Sequence, residues 1–146
     1  QHQLGMDLAT YIWRPDTPNG TTGTLTPMPA LNGLTNLLPT GINDSGTIVG
    51  YVPGGTDSFI WSPDDGTLAL DALLDAASAG WQVSSAHAIN DLGHVLAYGT
   101  YTPPEGGPQT GGFVLLVPIP EPGSLAIMCL ALAPAALRRS GRYRMR

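Results

Sequence analysis

The sequence predicts an all-β fold of short antiparallel strands arranged as propeller-like repeat blades, followed by a C-terminal hydrophobic helix of transmembrane type. Three observations favour this class. Glycine and proline contribute 33 of the 146 residues, a density of turn formers that suits many short strands better than long helices. Short aromatic and β-branched runs recur along the chain, and whole segments repeat at a nearly constant spacing.

The first repeated segment is an aromatic–Ile–Trp run that ends in Pro-Asp. It occurs as YIWRPD at residues 11–16 and again as FIWSPD at 59–64. Each run predicts a strand closed by a turn, because proline and aspartate favour turn positions. The run GGFVLLVP at 111–118 looks like the start of a third copy, with Phe113 in the place of Phe59.

The second repeated segment contains Ile-Asn-Asp-x-Gly and recurs at almost the same spacing as the first. It occurs as GINDSGTIVGY at 41–51 and as AINDLGHVLAYG at 88–99. Asparagine and aspartate side chains bond their own backbone in turns, while Gly46 and Gly93 tolerate a positive φ. Both copies therefore predict a hairpin. Between them, the leucines of residues 68–78 recur at helical spacing and predict a turn or two of helix.

A repeat unit of roughly 50 residues with three or four strands has the size of a propeller blade. We assign a repeat region to residues 1–118, with units at about 11–58 and 59–110 and a partial third at 111–118. Two units do not close a ring, since propellers have about 4–8 blades. The chain also opens without an initiator methionine or a signal peptide. We therefore expect it to be the C-terminal piece of a longer array.

These paired segments resemble the HAF-repeat family of extracellular bacterial proteins. The likeness rests on INDSGTIVGY with SFIWSPDDGTLALDALL, then AINDLGHVLAYG with GGFVLLVP, and covers roughly residues 11–118. The second unit departs from the pattern, because Ala97 stands where the first unit has Gly50. The resemblance implies an exported, propeller-like repeat protein and implies no particular ligand.

Charge is very unevenly distributed along the chain. There is no lysine, and residues 1–137 carry one arginine against eleven acids, a net charge of −10. Nucleic acid phosphates would repel such a body, so nucleic acid is not an expected partner. The single cysteine, Cys129, lies in the apolar tail, which leaves the body without a disulfide or a thiolate metal site.

The last segment, residues 119–146, has three parts. Pro120, Glu121 and Pro122 precede an apolar stretch, Leu125–Leu137, and an arginine cluster follows. As a helix, the apolar stretch would span about 20 Å of a hydrocarbon core about 30 Å thick, so it suits a transient anchor. Positive residues stay cytoplasmic, which predicts that the body lies on the far side of the membrane from the cytoplasm. The arginines predicted to act as this stop and orientation signal are Arg138, Arg139, Arg142, Arg144 and Arg146.

This order resembles the PEP-CTERM sorting signal of Gram-negative bacteria. The resemblance implies that Pro120, Glu121 and Pro122 form the recognition motif of an exosortase. It also implies transient anchoring in the inner membrane, then release to the cell surface or the extracellular space of bacteria that make exopolysaccharide and biofilm. Exopolysaccharide is thus a further expected partner. The alternative is a degraded single-pass anchor, or a hydrophobic C-terminal helix that packs on the body.

Two groups of residues suggest catalysis, and both have a simpler interpretation. Asp44-Ser45-Gly46 resembles an aspartic protease triplet, but its counterpart Asp91-Leu92-Gly93 lacks the hydroxyl, which favours a repeated turn. Ser84, Ser85, His87 and Asp91 are close in sequence, as in a nucleophilic triad. No G-x-S-x-G elbow surrounds either serine. We predict no catalytic residues.

Metal and sugar sites are the remaining candidates. Asp64, Asp65 and the Asn-Asp-x-Gly turns offer oxygens that calcium favours, but without EF-hand spacing, so turn capping is preferred and no metal site or cofactor is predicted. Trp13 and Trp61 occupy equivalent repeat positions, which favours packing between sheets over stacking on sugars. Trp81 follows a loop; burial is preferred for it too, although it is the better candidate for exposure.

Together these observations predict a non-enzymatic exported protein of the cell surface or extracellular matrix, sorted through its C-terminal signal. One alternative is a surface enzyme acting on polysaccharide, with its active site on blades outside this chain. The other is a single-pass surface protein that stays anchored and is never cut.

Overall fold

The computed structural model describes residues 9–119 and 142–145. In these ranges the chain forms ten β-strands in three antiparallel sheets, none of them closed, which confirms the all-β prediction. The strands are β1 (Tyr11–Pro15), β2 (Gly23–Pro27), β3 (Leu38–Ile42), β4 (Ile48–Tyr51), β5 (Ser58–Ser62), β6 (Gly66–Ala69), β7 (Trp81–Ile89), β8 (Val95–Tyr101), β9 (Thr110–Ile119) and β10 (Arg142–Met145).

The three sheets follow the chain in order. Strands β1 and β2 form a ribbon, which we call the front layer; β3-β4-β5-β6 form the middle sheet, and β7-β8-β9-β10 form the rear sheet. In each sheet, neighbours in sequence are neighbours in space, so both four-stranded sheets are meanders. Within the middle sheet, and from β7 to β9 in the rear sheet, short turn-rich connections produce this order, because they join antiparallel neighbours directly.

Both predicted hairpin turns are confirmed. The Asn-Asp-x-Gly segments connect β3 to β4 and β7 to β8, with Gly46 at φ 78° and Gly93 at φ 77°. In each turn the asparagine side chain acts as predicted: the Oδ1 atoms of Asn43 and Asn90 each accept a backbone N–H four residues later, at 2.9 Å.

The predicted helix at residues 68–78 is replaced by two 3₁₀ turns, Asp71–Leu73 and Ala76–Ser78. Leu74 between them is extended, with ψ 140°, and Asp75 begins the second turn by accepting a hydrogen bond from Ser78 N at 3.1 Å. Aspartate competes with helical hydrogen bonding in this way, which explains the break in the helical pattern.

No helix in residues 9–119 or 142–145 is long and apolar enough to span a membrane. The apolar stretch predicted as a helix, Leu125–Leu137, lies outside the described residues. So do Pro120, Glu121 and Pro122.

The sheets divide the repeats differently from the sequence units. β5, which contains the second aromatic–Ile–Trp run, belongs to the same sheet as β3 and β4, whereas residues 111–118 lie in β9 of the rear sheet. The front layer holds the first such run and a Gly-Thr-Leu segment at 23–25 that matches residues 66–68. The front layer therefore matches the β5–β6 hairpin of the middle sheet in sequence.

Two apolar clusters hold the layers face to face. On one side of the middle sheet, Phe59 and Trp61 pack with the half-buried Ile12 of the front layer. Met28 and Leu37, from the connection between β2 and β3, complete this cluster. On the other side, the middle sheet packs against the rear sheet through a cluster of buried residues: Val49, Ile60, Leu70, Leu73, Val83, Ala86, Val95, Ala97, Val114, Leu116 and Tyr143. The middle sheet is therefore covered on both faces.

Strand register explains the exchange of Gly50 for Ala97 between the units. Gly50 lies opposite Phe59, and a methyl group at position 50 would meet the Phe59 ring at 2.7 Å and the Leu38 carbonyl oxygen at still closer range. Ala97 lies opposite the smaller Val114. Close packing of a fixed interior volume favours this pairing of large with small.

Candidate functional site

The two Asn-Asp turns lie side by side at one end of the molecule. Asn43 Nδ2 donates to the Asn90 carbonyl oxygen at 3.1 Å, and the backbone N–H of Asp44 donates to Asp91 Oδ1 at 2.9 Å. The Asp91 carboxylate is thus bound to the neighbouring turn. Asp44-Ser45-Gly46, which resembles an aspartic protease triplet, and its counterpart Asp91-Leu92-Gly93 lie in these turns, as the turn interpretation predicts.

The residues suggestive of a triad are only partly brought together. Ser85 Oγ and His87 Nε2 are 3.0 Å apart on the exposed side of β7. Ser84 Oγ instead donates to the Tyr98 carbonyl oxygen at 3.3 Å. In residues 9–119, Asp91 forms its hydrogen bond with Asp44 and none with His87. Among the described residues, no carboxylate is therefore hydrogen-bonded to the imidazole to orient it in the way that a triad requires.

The acidic turns hold their own hydrogen bonds. Asp65 Oδ2 accepts from Ser62 Oγ at 3.0 Å, which closes the β5–β6 turn. Among the residues that the structure describes, no group of three or more His, Cys, Asp or Glu side chains is arranged to hold a metal ion.

The three tryptophans have different environments. Trp61 is buried, 7% exposed, with the Arg14 guanidinium 5.4 Å from its ring centroid in a cation–π arrangement. Trp81 is partly buried and lies 5.5 Å from the Tyr101 ring. Trp13 is 49% exposed, so the packing between sheets predicted for it is wrong among the described residues: its ring lies next to Gly23 of β2 on the outer side of the front layer, and about half of the residue is open.

The rear sheet has an apolar outer surface, which we call the rear face. It is formed by Leu96 and Tyr98 of β8 and by Phe113 and Leu115 of β9, all of them exposed. Tyr98 and Phe113 pair edge to face, with centroids 5.5 Å apart. This surface was not predicted from the sequence. The signal was the uninterrupted apolar run FVLLV, since a strand with one solvated face alternates polar and apolar residues instead.

Strand β10 forms the edge of the rear sheet next to β9. Tyr143 is 8% exposed and belongs to the cluster between the sheets, and its carbonyl oxygen accepts from Asp75 N at 3.0 Å. Arg144 Nε donates to Asp75 Oδ2 at 3.0 Å. Two of the arginines predicted as the orientation signal, Arg142 and Arg144, are thus on this strand. Arg138, Arg139 and Arg146 lie outside the described residues.

Two side chains at this edge have shifted pKa values. Hydrogen bonds from Ser78 and then from Arg144 lower the pKa of the Asp75 carboxyl. Burial, with a smaller effect from the Asp65 charge, raises the pKa of the Tyr143 hydroxyl. The Ser78 contribution is internal to the second 3₁₀ turn, whereas the Arg144 contribution and the burial of Tyr143 follow from the position of β10 against these turns.

A pocket of about 130 Å³ opens beside Tyr143, between the middle and rear sheets. Ile60, Leu68 and Leu73 form its apolar wall, and Asp65 and Ser62 its polar rim. Sites for small organic ligands commonly have volumes of about 300–1,000 Å³. This pocket is below that range and suits solvent or a very small group.

Comparison with protein-family models, with curated proteins and with solved structures finds no match to this chain.

Proposed function

We propose that this chain is an exported, non-enzymatic protein of the cell surface or extracellular matrix, delivered by a C-terminal sorting signal at residues 119–146. An exosortase recognises Pro120, Glu121 and Pro122, and the apolar stretch anchors the chain in the inner membrane until the enzyme cuts it. The body then reaches the surface of a bacterium that makes exopolysaccharide. Exopolysaccharide is therefore the material that we expect to surround the body.

The observation that carries this proposal is the order of the three parts at the C-terminus. A Pro-Glu-Pro triplet, the apolar stretch at 125–137 and five arginines follow one another between Pro120 and Arg146. A stretch of that length is marginal as a permanent anchor, since about 20 residues cross a bilayer comfortably. The positive-inside rule then sets the arginines in the cytoplasm and the body outside.

The body is suited to such a destination as a packed array of blades. Two four-stranded antiparallel sheets lie face to face, and the two-stranded front layer covers the other side of the middle sheet. We propose that these sheets are consecutive blades of a propeller-like array. Several aspartate carboxylates in these sheets accept hydrogen bonds that close turns or join neighbouring segments, which supports a structural role.

Strand β10 makes the membrane-inserted state distinct from the folded one. Arg142 lies opposite Ile119, so in this structure β10 is part of the folded body, paired with β9. In the inserted state, the same residues would be in the cytoplasm. Insertion must therefore detach β10 from β9 and separate Arg144 from Asp75, and cleavage near the triplet would make that detachment permanent.

The test is the intact mass of the protein recovered from outside a producing Gram-negative cell that carries an exosortase. We expect a chain that has lost the apolar stretch and the arginines. Replacing Pro120, Glu121 and Pro122 by alanine should leave the full-length chain in the membrane fraction. Glu105→Ala is the matched control, because Glu105 and Glu121 are the two glutamates of the sequence and Glu105 lies on the exposed β8–β9 loop.

The same measurement separates the proposal from its alternative. A full-length chain that remains in the membrane fraction of the wild-type strain would identify a permanently anchored protein. A full-length chain found outside the cell with its arginines intact would refute sorting altogether.

A further inference from the structure

The rear face repeats an interface that the molecule already contains. By strand register, the pair Leu96 and Leu115 corresponds to Val49 and Ile60 of the middle sheet, which are also directly opposite each other. In the middle sheet this pair is buried against the rear sheet. Nearby, Ser58 Oγ donates to the Val83 carbonyl oxygen at 2.7 Å across the same contact. A face of this kind therefore packs on the next layer inside the molecule.

The front layer carries the other half of that interface. In the repeated aromatic–Ile–Trp run, Tyr11 and Trp13 take the places of Phe59 and Trp61. Phe59 and Trp61 are buried where the front layer covers the middle sheet. Tyr11 and Trp13 lie instead on an exposed surface that also includes Leu25, the cross-strand partner of Trp13. We call this surface the front face.

We propose that the rear face of one molecule binds the front face of a second copy of this chain, head to tail. Each face presents the positions that are buried at the two layer contacts within the chain, so the new contact continues an existing one. The exposed residues that form these two faces are apolar or aromatic, as are the residues buried at the two layer contacts. Because the two surfaces differ, the contact is heterologous and produces an open stack.

Charge makes this association depend on salt in a defined direction. The bodies are acidic, with a net charge of −10 over residues 1–137, so two copies repel each other at long range. Raising the salt concentration from 0.01 M to 0.15 M shortens the screening length from about 30 Å to about 8 Å. The apolar contact should therefore strengthen with salt, whereas a contact made by ion pairs would weaken.

The experiment is sedimentation velocity of the full chain over a concentration series up to several hundred micromolar. We expect the wild-type chain to form a ladder of species that grows with concentration and salt. Phe113→Asp blocks the rear face and Leu25→Asp blocks the front face. Each variant alone should be monomeric, with an association constant lowered at least tenfold. Leu92→Asp, on the exposed β7–β8 turn, is the control with the same added charge and should associate like the wild type.

Mixing the two blocked variants supplies the decisive result. One rear face and one front face remain between them, so an equimolar mixture should form a dimer and nothing larger. Far-UV circular dichroism and urea transitions that match the wild type would show that the variants are folded. Leu115→Asp and Trp13→Asp provide second blocks of the rear and front faces.

Three results would overturn the proposal. A wild-type chain that stays monomeric at all these concentrations has no such contact. A front-blocked variant that still dimerises by itself would show a symmetric pairing of rear faces. Association unaffected by either block would be driven by the apolar stretch at 125–137. None of these assays involves an exosortase or export, so their failure is separate from failure of the sorting proposal.

Discussion

Phe59 and Phe113 are the two phenylalanines of the chain, and they have opposite environments. Phe59 is fully buried between the front layer and the middle sheet, whereas Phe113 is 69% exposed on the rear face. In the internal repeat these two residues occupy matching positions, because both begin an apolar run after a turn. Strand pairing shows that Val114 is the counterpart of Phe59, since each lies opposite the residue at position 50 or 97. A shift of one residue in a strand reverses the face.

This contrast gives a prediction at the level of one side chain. Phe59→Ala should lower the free energy of unfolding by about 3–5 kcal/mol, because it leaves a cavity in a packed cluster. Phe113→Ala, the matched control, should change it by less than about 0.5 kcal/mol in dilute solution, as exposed positions do. Urea unfolding followed by tryptophan fluorescence measures both. Equal losses in the two variants would contradict the register.

Two aspartates of the 3₁₀ segment titrate in opposite directions. The pKa of the Asp75 carboxyl is lowered by Ser78 and Arg144, whereas burial raises that of Asp71, although the Val83 N–H donates to Asp71 Oδ1 at 2.7 Å. Asp75 therefore stabilises the fold above its unfolded pKa of about 3.9, and this contribution is lost as pH falls through the lower folded value. The contribution of Asp71 to stability has the opposite pH dependence and increases as pH falls, because its raised pKa means that folding favours the protonated form.

Replacing each aspartate by asparagine should separate these contributions. Between pH 7 and pH 3, Asp75→Asn should lose less free energy of unfolding than the wild type does, because its pH-dependent contribution is gone. Asp71→Asn should lose more than the wild type, since protonation of Asp71 no longer offsets the loss. Urea titrations at each pH measure the two differences. Parallel pH profiles for both variants would contradict the assignment.

Strand β10 is an element that was not predicted from the sequence. Arginine-rich segments predict a solvated or cytoplasmic end, but RYRM alternates charged and apolar side chains as a half-buried edge strand does. Tyr143 and Met145 face the cluster between the sheets, while Arg144 faces Asp75. A four-residue alternation is too short to identify by itself. The strand is specified instead by the edge of β9, whose backbone groups pair with residues 142–145.

Other elements followed more directly from local chemistry. The hairpins at residues 43–46 and 90–93 were predictable because the asparagine and glycine of each turn satisfy its geometry without help from the rest of the fold. The helix expected at 68–78 does not form. The first 3₁₀ turn ends at Leu73, the backbone of Leu74 is extended, and Asp75 caps a new turn. The leucine spacing there reflects burial against two sheets, which periodicity alone does not distinguish from a helix.

For the molecule as a whole, the structure predicts what happens when the C-terminal end is lost. A chain ending at Ile119 lacks β10, so the cluster between the sheets loses the Tyr143 ring. We expect its free energy of unfolding to fall by about 3 kcal/mol, the scale of removing a buried aromatic side chain. Unfolding should remain cooperative, because the cluster still includes residues of both sheets. Calorimetry and urea titration measure this change.

A chain ending at Gly141 is the control that separates β10 from the apolar stretch. It removes β10 and keeps residues 120–141, so it should lose the same stability as the shorter chain. Full wild-type stability in the chain ending at Gly141 would show that β10 contributes nothing to the packed body. That result would also mean that detaching β10 from β9 costs no free energy when the C-terminal segment inserts into the membrane.

The sequence by itself determined the strand content, the two hairpin turns and the acidic character of the body, because each depends on local propensity or on counted charges. It also supplied the three-part order on which the sorting proposal rests. Only the tertiary structure decided which face each strand buries, that Trp13 is exposed while Trp61 is covered, and that β10 completes the rear sheet. Those outcomes depend on register and on which layer lies next to which, and residues distant in sequence set both.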